Sequence, residues 1–203
     1  MEKFNQEIER LKNYFDGIDK EREKAYVLAR EMRRDSVQAV RDMHRKRFDE
    51  ARSLLSNARK TAGELYECGN RFGFAEEAQQ EYVEAALTLS FLLKEDPPTQ
   101  EELKTTERGY MLGLADAIGE LRRHILGLLT KGKLEEANYY MDLMDEIFSM
   151  IMKFDHTDAV LPLRRKQDAF RSIIERTRGD LANIICQKRL EKQLIDAAEG
   201  TQK

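Results

Sequence analysis

Apolar residues recur at intervals of three and four along nearly the whole chain, and that spacing restricts the fold more than any other feature. It places them on one face of a helix, whereas a half-buried strand needs alternation by two. From Phe4 the stripe runs through Ile8, Leu11, Phe15 and Ile18, then Leu28, Met32, Ala39 and Met43, with charges between. This predicts one long first helix. A second run, Ala51, Leu54, Leu55, Ala58, Ala62 and Leu65, leads into Cys68-Gly69-Asn70 and Gly73, where glycine and asparagine favour a break.

A third helix is expected from about Ala75 to Lys94, stopped by Pro97 and Pro98. Thr99 with Glu102 forms a capping box for a short helical turn. The next main helix begins near Gly109 and ends around Thr130-Lys131-Gly132, with Gly132 in a left-handed cap. Another covers roughly Leu134 to Lys153, and a final long one runs from about Val160 to Leu190 with Pro162 in its first turn. A polar tail, about 191–203, follows. The fold class is therefore all-α, a single-domain bundle of six or seven helices spanning 1–203.

Composition agrees with long solvated helices: 36% of residues are charged, proline occurs three times and tryptophan not at all. The formal net charge of -3 offers no global basic signal for nucleic acid, so any such site must be a local patch. Cys68 and Cys186 are far apart and form no metal-type C-x-x-C pair, so both are expected as free thiols in a reducing compartment. No apolar run approaches the roughly 20 residues that span a bilayer. The expectation is a cytoplasmic protein with no membrane partner.

The informative charges are acidic. The stretch Tyr82 to Leu93 reads YVEAALTLSFLL, with Glu84 its only charge and Glu81 one turn earlier on the same face. The stretch Tyr110 to Leu121 reads YMLGLADAIGEL, with Asp116 and Glu120 its only charges, four apart. A helix apolar nearly all round is buried, which would set Glu84 at low dielectric, where an unpaired carboxylate is costly. Like charges at this spacing repel, and something positive should resolve the conflict. Neither apolar run contains a basic side chain, whereas Mg²⁺ or Mn²⁺ prefers such hard oxygen ligands. Gly113 and Gly119 flank Asp116 and would admit a neighbouring helix. The residue pattern equally allows acids that cap, pair with distant arginines or face solvent.

The phrases QEYVEA at Gln80 to Ala85 and GLADAIGEL at Gly113 to Leu121 resemble the translin family, and most nearly its catalytic branch, translin-associated factor X. Arg30-Glu31, Ser36 and His44-Arg45 follow the family's first helix, and Leu163-Arg164-Arg165-Lys166 resembles the start of its last. The segment Cys68 to Ala78 departs from the family in lacking a histidine; Arg71 is its nearest basic residue. The resemblance implies an all-helical subunit of a hollow homo-oligomeric barrel, an octamer as in simple archaeal versions of the family. Such a barrel encloses RNA and cuts it endonucleolytically with Mg²⁺. It carries the catalytic acids over to Glu81, Glu84 and Asp116, with Glu120 as a fourth, all four also being the metal ligands.

On that reading the metal, Mg²⁺ or alternatively Mn²⁺, lowers the pKa of a water and stabilises charge on the phosphate. RNA also requires cations near the acids, and the candidates are Arg22, Arg30, Arg33, Arg34, Arg122, Arg123, Arg164, Arg165 and Lys166. With no aromatic-rich RNA-reading motif, phosphate and shape contacts are expected, to single-stranded or short duplex RNA, with single-stranded DNA a further candidate. Two other readings remain open. One is a non-catalytic single-stranded nucleic-acid-binding oligomer. The other is a ferritin-like di-metal carboxylate protein, although Arg123 and Glu84 stand where its Glu-x-x-His motifs need histidine. His44, His124 and His156 read first as surface or core residues.

Overall fold

A computed structural model of the chain describes residues 1–67 and 72–200. Among the described residues there are seven helices and no strand: α1 (Glu2–His44), α2 (Phe48–Glu67), α3 (Gly73–Leu93), α4 (Gln100–Leu103), α5 (Glu107–Leu129), α6 (Leu134–Ile151) and α7 (Arg164–Gly200). The all-α expectation holds. The packing resolves into two compact units, Met1–Leu114 and the chain from Ala115 onward, and α5 runs through the boundary.

In the first unit α1 packs against α2 and α3. The second half of α1 buries Ala25, Ala29, Met32, Ser36, Ala39 and Met43, while α2 buries Ala51, Leu55, Ala58, Ala62 and Leu65. Both rows step by four and three, and their alanines shorten the distance at which helices can meet. Ser36 is accommodated in this seam because its hydroxyl donates to the Met32 carbonyl at 2.7 Å. The same stripe is not buried throughout. Phe4, Ile8 and Phe15, expected to be core from their spacing, are 61%, 48% and 62% exposed. Periodicity identifies the helix, and the fold of the single chain leaves its first half uncovered.

α3 is stopped by Lys94, which adopts a left-handed φ of 57°, ahead of Pro97 and Pro98. The capping box forms as expected: Glu102 N–H donates to Thr99 Oγ1 at 3.3 Å, and Thr99 N–H donates to the Glu102 carboxylate at 2.7 Å. These bonds from Thr99, backbone first, hold the Glu102 carboxyl below its usual range. The carboxylate half of the box therefore contributes above the unfolded carboxyl pKa and is lost as pH falls through the lowered folded value. Thr99→Ala is expected to speed hydrogen exchange at the Glu102 amide severalfold at neutral pH. Amide exchange by NMR at neutral pH checks this.

In the second unit α6 packs against α7; α6 buries Tyr140, Met144, Ile147 and Ile151, and α7 buries Phe170, Ile174, Thr177 and Leu181. Gly132 takes φ 68° at the end of α5, as its position predicts. α7 departs from expectation at both ends. It starts at Arg164, with Pro162 in an irregular segment whose Leu161 and Leu163 are buried. It continues to Gly200, because Glu191-Lys192-Gln193-Leu194 are good helix formers with no breaker among them. Cys186 is free and exposed. Cys68, the expected break at Cys68-Gly69-Asn70, and Arg71 lie outside the described residues. No described helix is long and apolar enough to cross a membrane.

Candidate functional site

α3 carries the first acidic pair. From Tyr82 to Phe91 every residue except Glu84 is buried, and Glu81 and Glu84 are both half-buried. This corrects the expectation of a carboxylate fully at low dielectric: Glu84 lies within the buried run yet keeps partial access to solvent. Glu81 is met by Arg33 of α1, with Nη2 at 2.8 Å from Oε1. Beside it, burial pushes the Tyr82 phenol far up, so it stays protonated.

The start of α5 is locked onto α3. Gln79, fully buried, accepts hydrogen bonds on Oε1 from Thr106 N–H at 3.0 Å and from the Thr106 hydroxyl at 2.8 Å. A Cβ placed on Gly113 would lie 2.6 Å from the Gln80 carbonyl oxygen and from Val83 Cβ, and 2.9 Å from Glu84 N. Gly113 thus permits the close helix approach expected of it. Gly119 does not play that role, since a Cβ there meets nothing within 4 Å. The Gln79 latch was not foreseen, because a glutamine in a helix carries no sequence signal for a partner so far along the chain.

Asp116 and Glu120, the second pair, are half-buried on α5. Lys166 of α7 donates to Asp116, their side chains being 26% and 21% exposed. The position of Lys166 is fixed by its neighbour Gln167, which donates to the carbonyls of Ile151 at 3.1 Å and Phe154 at 2.8 Å. Charges absent from the apolar runs are therefore supplied by other helices, Arg33 to Glu81 and Lys166 to Asp116. Among the described residues no group of three or more histidine, cysteine, aspartate or glutamate side chains is gathered closely enough to hold a metal ion.

The basic candidates separate by environment. Arg30, Arg33 and Arg34 line an open groove of about 930 Å³ along α1, together with Tyr26 and Arg41. The Arg30 guanidinium lies 5.8 Å from the centre of the Tyr26 ring. Arg41 was missed, although it follows Arg34 by two turns of the same helix and could have been found from that spacing. Arg22, Arg123 and Arg165 are exposed, and Arg164 pairs with Asp155 at 2.9 Å. Arg122 is committed elsewhere, donating to the Thr177 hydroxyl and to Asp180 at 3.1 Å. His124 packs edge-on against Tyr140, with ring centres 4.6 Å apart. Replacing Arg122 with alanine is expected to cost about 1 kcal/mol of stability, after discounting for the partly exposed Asp180. Thermal melting should fall by about 2–4 °C, while RNA retention on a filter stays unchanged.

The fold these helices build is that of the translin/C3PO-type proteins. It matches the crystal structure of AfC3PO with a TM-score of 0.81 at 27% identity, covering 89% of this chain and 97% of that one. The structure of an AfC3PO–duplex RNA complex matches with a TM-score of 0.79 at 26% identity, with the same coverage. Apo-NeC3PO shares the fold, with a TM-score of 0.72 at 24% identity over 86% of this chain and 96% of that chain. The chain belongs to the family of the uncharacterized protein MJ0175 of Methanocaldococcus jannaschii, to which it is 34% identical over 193 residues, 93% of this chain and 87% of that protein. No protein-family model matches.

Proposed function

We propose that the protein is a Mg²⁺-dependent endoribonuclease that works as a homo-oligomer, with Glu81, Glu84, Asp116 and Glu120 as its catalytic and metal-holding acids. The observation carrying this reading is the likeness, over 97% of its length, to a C3PO chain captured with duplex RNA. The acids are hard oxygen donors of the type Mg²⁺ takes, although no three of them are gathered in the single chain among the described residues. Mg²⁺ is commonly held by one or two carboxylates and completes its shell with water and substrate phosphate oxygens. Two carboxylate pairs, Glu81 with Glu84 on α3 and Asp116 with Glu120 on α5, supply such donors, and among the described residues neither pair is joined by a third acid, histidine or cysteine. Bound Mg²⁺ supplies a more acidic water and a counter-charge for the phosphate.

The chain's own residues do the rest. The buried body of α3 fixes the backbone that carries Glu81 and Glu84, and Gln79 with Gly113 sets the start of α5 against it. Arg30, Arg33, Arg34 and Arg41 along the α1 groove offer a row of cations to the RNA backbone, with little means of reading bases. Single-stranded and duplex RNA, and single-stranded DNA, are the substrates to compare. Incubating each, end-labelled, with the purified protein in Mg²⁺ or EDTA tests the reading. Mg²⁺-dependent shortening of RNA supports it, and intact RNA in both conditions refutes it.

Oligomer formation, with an octamer as the expected state, is supported by the exposed stripe Phe4, Ile8 and Phe15. A contiguous apolar helix face left in water favours a partner. Phe15→Asp is expected to lower the mass measured by light scattering, and an unchanged mass would exclude this face from the assembly. A second reading, a non-catalytic nucleic-acid-binding oligomer, is favoured by one observation: Glu81 and Asp116 already have cationic partners. It predicts RNA binding that is indifferent to Mg²⁺.

A further inference from the structure

We infer that Tyr26 is a stacking site for an unpaired nucleobase, set beside the arginines of the α1 groove, and that it gives single-stranded RNA a contact blunt duplex cannot make. This rests on the RNA-binding part of the reading above and requires no metal. Tyr26 is 46% exposed in the body of α1, and its neighbour Val27 is 56% exposed. Tyrosine is a poorer helix former than the charged residues around it, so local propensity does not account for an aromatic at this exposed position. The ring is nonetheless held in place. Phe74, at the start of α3, meets it edge to face, with ring centres 5.4 Å apart and planes at 90°. Phe74 is in turn stacked on Phe72, 5.4 Å away and 5° from parallel. The three aromatics come from two distant segments, so no local motif announces them.

Charge selects the occupant. The Arg30 guanidinium lies 5.8 Å from the centre of the Tyr26 ring, and the groove that the ring lines carries Arg30, Arg33, Arg34 and Arg41 against the acids Glu31 and Asp35. Cations are thus in excess here, in a chain whose formal net charge is -3. Arg33 and Arg34 also lie within 2.8 and 3.3 Å of Glu81 and Asp35, which tempers the excess without reversing it. A nucleotide matches both halves of the site, with a phosphate for a guanidinium and a flat base for the ring. An apolar helix face of a second copy would match the ring but not the arginines. A paired base has its faces covered by its neighbours and must be unstacked before a side chain can reach it, so the contact belongs to single strands. It is tolerant of base identity, because every base presents a π-face.

The test is made in EDTA throughout, so that neither metal nor cleavage enters it. Three labelled ligands of equal length are titrated: oligouridylate, a blunt RNA duplex and an abasic ribose-phosphate strand. Tyr26→Leu keeps apolar bulk and removes the π-face. It should bind oligouridylate about tenfold more weakly than wild type does, and bind the duplex and the abasic strand as wild type does. Tyr26→Phe should keep the wild-type affinity for all three. Tyr26→Trp introduces the only tryptophan of the chain. Its fluorescence should be quenched by oligouridylate and not by the abasic strand, a readout that decides the matter even if Tyr26→Leu fails to fold. Equal weakening of all three ligands in Tyr26→Leu, or of none, together with no base-dependent quenching, would overturn the stacking site and leave the RNA reading standing. A fall in the light-scattering mass of Tyr26→Leu without that quenching would make the groove an interface between copies, and the inference would fail. If wild type binds none of the ligands, the RNA reading itself fails and takes the inference with it.

Discussion

Gly113→Ala is expected to destabilise the protein by about 2 kcal/mol, even though alanine is the better helix former by about 1 kcal/mol. The reason is geometric. The added methyl would sit 2.6 Å from a backbone carbonyl oxygen and from Val83 Cβ, and 2.9 Å from the Glu84 amide nitrogen. None of these is the free end of a flexible side chain, so α5 must move away from α3 to admit it. Gly119→Ala, on the same helix, meets nothing within 4 Å and should instead stabilise by up to about 1 kcal/mol. Denaturant midpoints of the two variants should shift in opposite directions. A stabilised Gly113→Ala would mean that the α3–α5 approach is looser than described.

Glu84→Ala should reduce RNA cleavage at least about a hundredfold, the scale on which loss of one charge-stabilising group is felt in catalysis. Its RNA affinity should be unchanged or tighter, since one negative charge near phosphates has gone. That combination separates a reacting group from a structural one. Glu84→Gln should be as inactive as Glu84→Ala, because an amide keeps the shape but loses the anionic charge that attracts the metal. A Glu84→Gln protein that cuts RNA at the wild-type rate would remove this residue from the site.

The helices were legible because burial on one face writes a period of three and four into the sequence, and α3 and α5 were set apart by charges in otherwise apolar runs. What covers a face was not legible. Phe4 and Phe15 have the spacing of core residues and are exposed, because periodicity reports that a surface needs covering without reporting by what. The cations on Glu81 and Asp116 escaped for a related reason: Arg33 and Lys166 come from other helices, and no local pattern joins residues so far apart. Arg122 is a further case of a partner that no local pattern reveals. Its place beside the acids suggested RNA, whereas its side chain ties α5 to Thr177 and Asp180. Arg41 was legible from its helical register, and only the groove it lines shows that the register matters.

The most direct test of the central claim uses a circular RNA, which has no ends for an exonuclease, incubated with wild type or Glu84→Ala in Mg²⁺ or in EDTA. The account predicts linear and shorter products with wild type in Mg²⁺ alone, and intact circles bound by protein in the other three mixtures. Circles cut equally by wild type and Glu84→Ala, or left whole by wild type in Mg²⁺, would contradict it.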